Sequence, residues 1–181
     1  MDKKLDKTKY KLDLINQWIS NCDTKSSFLL AFYGVVVTII MTTKLADKMV
    51  QTFKLRPSFK DINLDSILNL IEFIVLLVMV YFVIKCFYHI YFTLKARIDS
   101  SLYQQEDLIT ESNIFFHSIS KKNYKDFNNK NSTENDKEFL SDLTSQVFIN
   151  SNIATEKFNN YNKSISNGFW GLILMLLYLF I

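Results

Sequence analysis

The chain has 181 residues, 49% of them hydrophobic, with 21 Lys and Arg against 18 Asp and Glu for a net charge of +3. So small a charge, with no run of Lys or Arg longer than two, gives no electrostatic case for nucleic acid. Two cysteines (Cys22, Cys86) and two histidines (His89, His117) exclude a disulfide framework and leave few ligands for a metal; no GxGxxG, P-loop or nucleophile elbow is present.

Residues 1–25 read as an amphipathic helix. Leu5, Leu12, Ile15, Ile19 and Cys22 recur at three- and four-residue intervals and their sum, with Trp18 beside them and lysines opposite. The pattern predicts a helix docked on a soluble module; a membrane-surface role, with Trp18 as an interfacial anchor, is the alternative. From Ser26 to Thr43 there is no charge for 18 residues, about 27 Å of helix and close to the hydrocarbon thickness of a bilayer. This run reads as a first span, not a cleaved signal peptide, because 25 polar residues precede it and no small-residue cleavage site follows.

Residues 44–66 read as a basic external loop. Residues 67–92 form a second span, its only charges Glu72 and Lys85. Thirteen positions separate those two, roughly 20 Å along a helix, so they are expected to snorkel to opposite interfaces instead of pairing.

Residues 93–163 are rich in Asn, Ser, Lys, Asp and Glu and form a small helical module between the second and third spans. In it the second helix is expected to continue through Leu94, Ile98 and Leu102, followed by an apolar knot at Glu111–Ile119 and a polar linker at Asn128–Lys137. Ser132 or Thr133 then caps a long helix, whose seam of Leu140, Leu143, Val147, Ala154, Phe158, Tyr161 and Ile165 runs unbroken into a third span at 164–181. That seam exceeds what a short module buries, so self-association into a homo-oligomer is expected. Lys25, Lys95 and Arg97 at the membrane edges place the N-terminus and the module in the cytoplasm. The fold class is an all-α integral membrane protein with three transmembrane helices. It carries no acid, base or metal cluster that would make it an enzyme.

The residue order through these elements carries a resemblance. Asn16–Val37 (NQWISNCDTKSSFLLAFYGVVV), then Ile114-Phe115-Phe116, then Gln146–Phe158 running into the last apolar segment, resembles the Pycsar transmembrane effectors of bacterial antiphage defence. In that family an ADxKA-like motif enters the first span, an IFF element sits mid-chain, and QIxxxxxIxxxKF precedes the last span. Here the first reads Cys22-Asp23-Thr24-Lys25-Ser26, and no Pro-Arg precedes the IFF element.

The resemblance implies a bacterial inner-membrane effector gated by a cyclic nucleotide, cUMP or cCMP, from a partner cyclase. Such an effector impairs the membrane and causes abortive infection. It needs no other cofactor. Candidate phosphate groups are Lys25, Arg97 and Lys157, with Asp23 orienting Lys25; candidate base neighbours are Phe115, Phe116 and His117. Taken as isolated residues, the two phenylalanines read more simply as core and Lys157 as solvated, while the Asp23/Lys25 pair reads equally well as a membrane anchor. A constitutive pore or assembly protein without a ligand is the alternative function, though such a pore has no need of the module.

Overall fold

A computed structural model describes residues 2–54, 64–97 and 103–181. The elements are α1 (Asp2–Thr42), α2 (Lys44–Lys54), α3 (Leu64–Leu94), α4 (Phe116–Ser120), α5 (Tyr124–Thr133) and α6 (Asp136–Phe180). They form two compact units, Met1–Asp23 with Lys95–Phe158, and Thr24–Leu94 with Asn159–Ile181. Helices α1, α3 and α6 are long and apolar enough to cross a membrane, so the three spans stand.

The second unit is the membrane-crossing one. Leu45, Leu76, Met79 and Tyr178 are buried together, and Tyr33, Cys86 and Ile90 form a second buried cluster. Around them Phe28, Phe32, Ile74, Ile84, Trp170 and Leu177 are exposed. Apolar surface of this extent is untenable in water and ordinary against lipid.

The segment expected to be a loop contains α2. Leu45, Met49 and Thr52 face inward at helical spacing, while Lys44, Asp47, Gln51 and Lys54 are exposed; residues 55–63 lie outside the described residues. Helix α2 supplies the partner that Glu72 lacked in the sequence: Lys48 Nζ is 3.3 Å from its carboxylate and donates to the Tyr178 carbonyl at 3.0 Å. The Tyr178 hydroxyl meets Thr52 Oγ1 at 2.7 Å. Lys85 instead lies over the rings of Tyr81 and Tyr88, one turn either way, at 5.8 and 5.7 Å.

Gly168 is required where α6 passes Tyr33, because a Cβ there would overlap the Tyr33 hydroxyl. Gly168→Ala should therefore lower the melting temperature of the detergent-solubilised protein by several degrees, an overpacking cost of about 1–3 kcal/mol. Adding Tyr33→Phe, which removes the nearest of the overlapped atoms and leaves the ring carbon behind it, should restore part of it. Unchanged melting of the single variant would show that Tyr33 moves aside freely.

In the first unit, α6 starts later than expected. Asn135 Oδ1 accepts from the backbone N–H groups of Lys137 and Glu138, both at 3.0 Å, and Asn135 Nδ2 reaches Glu138 Oε1 at 2.7 Å. A side chain that satisfies two orphan donors is the stronger cap, so Ser132 and Thr133 instead close α5. Helix α5, capped by Asn123 Oδ1 on the Lys125 N–H at 2.9 Å, fills much of the expected polar linker.

The N-terminal stretch packs within the first unit. Asn150 Nδ2 donates to Asn16 Oδ1 at 2.9 Å, Trp18 meets Phe158 edge-on at 6.1 Å, and Lys9 Nζ lies over the Phe139 ring. Of the seam residues, Leu143 is buried and Phe158 is met by Trp18 within this unit. Helix α3 ends at Leu94. Ile98 and Leu102, expected to extend it, lie outside the described residues.

Candidate functional site

The site of interest is built on the stretch of α6 that belongs to the first unit. Asp142, Gln146, Ile149, Ile153 and Lys157 recur at three- and four-residue steps, and all five are buried. Asp142 organises the segment opposite. Its Oδ2 accepts from Ser112 Oγ at 3.0 Å and from the Asn113 backbone N–H at 2.7 Å. Ser112 Oγ in turn accepts from the N–H groups of Ile114 and Phe115 at 2.9 and 3.0 Å. Ser145 Oγ accepts from the Ile109 N–H at 3.1 Å. One polar face of one helix thus sets the path of residues 109–115.

Three turns further along, two ion pairs sit on consecutive residues. Lys157 Nζ is 2.6 Å from Asp23 Oδ1, and Arg97 Nη1 is 3.0 Å from Glu156 Oε2. The two members of the first pair are unequal: the Lys157 side chain is 5% exposed and that of Asp23 39%. A buried ammonium depends on its counter-charge far more than a half-hydrated carboxylate does. Tyr103 joins the second pair through a long 3.5 Å contact from its hydroxyl to Glu156. Burial first, then the Glu156 charge, raises its phenol above the ordinary range, with Arg97 opposing, so it stays a neutral donor. Among the described residues, Arg97 Nε, Asp142 Oδ1 and Gln146 Nε2 are buried without a hydrogen-bond partner.

The site therefore combines a buried cation with the motif order seen in the sequence, and residues 7–181 match the profile of the Pycsar effector protein domain. The chain belongs to the Pycsar effector family. It is 33% identical over 160 residues to the Pycsar effector protein GmPycTM of Gulbenkiania mobilis, an alignment covering 86% of this chain and 81% of that one. No solved structure matches.

The structure distributes the residues singled out in this Pycsar effector unevenly. Asp23 and Lys157 are brought together, and Arg97 binds the residue next to Lys157. Asp23 faces Lys157 across the unit, not Lys25. Lys25 is exposed on α1 and falls within the membrane-crossing unit. Phe115, Phe116 and His117 pack ring to ring, with centroids 4.8 to 6.4 Å apart, on the segment fixed by Asp142. Phe116 is 66% exposed, so it is not core. Glu156, Asp142 and Ser112 escaped the sequence reading. Glu156 adjoins Lys157, and Asp142 lies four residues before the Gln146 of the motif, so adjacency was the available signal.

Proposed function

We propose that this Pycsar effector is a nucleotide-gated membrane effector. In this reading the first unit senses a cyclic mononucleotide from a partner cyclase, cUMP or cCMP, and its occupation releases the membrane-crossing unit to impair the inner membrane. The observation that carries it is the Asp23–Lys157 pair. It joins α1 to α6, and in each helix the first residue of the membrane-crossing unit follows closely, Thr24 after Asp23 and Asn159 after Phe158. A charge pair with one buried member at that point is a contact that ligand binding can bias. A shift from 1:99 to 99:1 needs roughly 5.5 kcal/mol of differential affinity. Action by membrane impairment calls for no catalytic step. In this reading the N-terminus and first unit lie in the cytoplasm, where a cyclase product is available.

Expression alone should be tolerated, while co-expression with a pyrimidine nucleotide cyclase should depolarise the membrane and arrest growth. Reporter fusions should be exported after Lys54 and retained at Asn131. Equal toxicity with and without the cyclase would identify a constitutive pore, and export of the Asn131 fusion would remove the sensor from its ligand.

A further inference from the structure

Of the three cations that the sequence offered for a phosphate, two are already engaged, Lys157 by Asp23 and Arg97 by Glu156, and the third, Lys25, falls in the membrane-crossing unit. A ligand phosphate at either pair would first have to displace a carboxylate. The first unit holds a different concave feature, a groove of about 700 Å³, within the usual size range of small-molecule sites. Its walls come from three separate stretches of the chain: the start of α1, the turn at 105–108, and the exposed flank of α6 from Lys137 to Phe148.

The chemistry of those walls is specific in kind. Lys4 and Lys137 enter from different helices, and neither ammonium makes an ion pair among the described residues. Phe148 presents a partly exposed ring. Ser141 and Thr144 add hydroxyls beside it, and Glu106 and Asp107 add two carboxylates. The turn that carries those acids is closed by the Leu108 N–H on the Gln105 carbonyl at 3.2 Å, with Asp107 held at a φ of 65°. That is the left-handed region, which a non-glycine residue enters at a cost and which recurs at ligand clamps.

We propose that this groove is the docking site of the mononucleotide, a proposal that rests on the gated-effector reading above. The two lysines take the single phosphate charge. The Phe148 ring takes the flat base by stacking, and a carboxylate of the turn accepts from the imide or amino N–H of a pyrimidine. An inorganic anion would use only the lysines; the ring and the acids select a ligand with a π-face and hydrogen-bond donors. The ion-pair layer is then the gate, and the groove is what the ligand touches.

The test is equilibrium binding of cyclic UMP, cyclic CMP and inorganic phosphate to the full chain in detergent, with Lys137→Glu and Phe148→Ala as groove variants. Both changes lie on exposed positions of α6, and a thermal melt checks that each variant is folded. The expected result is cyclic pyrimidine binding by the wild type, weakened at least tenfold by Lys137→Glu and about tenfold by Phe148→Ala. Wild-type affinity in both folded variants would overturn the groove and leave the gated-effector reading standing. Equal binding of inorganic phosphate and nucleotide would overturn the ligand class. No nucleotide binding by the wild type would overturn both this proposal and the reading on which it rests.

Discussion

Asp23→Asn should make this effector toxic without any nucleotide, while Lys157→Met should not. The asymmetry follows from burial. Lys157 is 4% exposed as a residue and draws its counter-charge from Asp23 at 2.6 Å, whereas Asp23 stays in touch with water. Removing one partner of a buried pair strands the other, at 3–5 kcal/mol when both are buried. With Asp23 half hydrated, a cost of about 2–3 kcal/mol is the better expectation, enough to shift an equilibrium about thirty- to a hundred-and-fiftyfold. Lys157→Met keeps the length and apolar stem of the side chain, and the Asp23 it leaves behind can hydrate. The double variant Asp23→Asn/Lys157→Met should therefore be quiet again. Growth and a potential-sensitive dye read the gating, and a melting shift of about 4–10 °C reads the stability. A silent, undestabilised Asp23→Asn protein would mean that the pair carries neither.

Why that pair was only half legible is a matter of geometry. The sequence placed Asp23 with Lys25, but side chains two apart on a helix point away from each other. Lys157 read as solvated because its burial depends on the N-terminal stretch of α1, whose docking no local pattern in α6 announces. The spans were legible for the opposite reason: 26 nearly uninterrupted apolar residues leave a chain few alternatives to crossing a bilayer. Glu72 shows the limit even there. Its placement inside the second span was evident, yet its partner Lys48 sits on α2, which had been assigned to a loop. The groove was invisible because its walls are Lys4, residues 105–108 and the flank of α6, distant in sequence and each unremarkable alone. Periodicity identifies which face is covered, but it does not name what covers it.

Asp142→Ala should be the most damaging truncation in the first unit outside the ion pairs. The carboxylate accepts from Ser112 Oγ and the Asn113 N–H, and Ser112 passes the order on to the N–H groups of Ile114 and Phe115. Removing it leaves a buried hydroxyl and a backbone donor without an acceptor, at about 1–3 kcal/mol for each group left unsatisfied. The summed effect is about 2–4 kcal/mol, roughly 5–15 °C in melting temperature for a chain of this size. Loosening should be local first, with faster proteolysis around Ile114-Phe115-Phe116 before any change at α3. Asp142→Asn is the discriminating control. Its amide oxygen can still accept from Ser112 and Asn113, while its amide nitrogen takes the place of Oδ1, an atom with no partner among the described residues. The amide should thus retain most of the stability that alanine loses. If Asn proves as damaging as Ala, the negative charge itself is what holds the segment. If neither changes melting or proteolysis, the 109–115 path is set elsewhere.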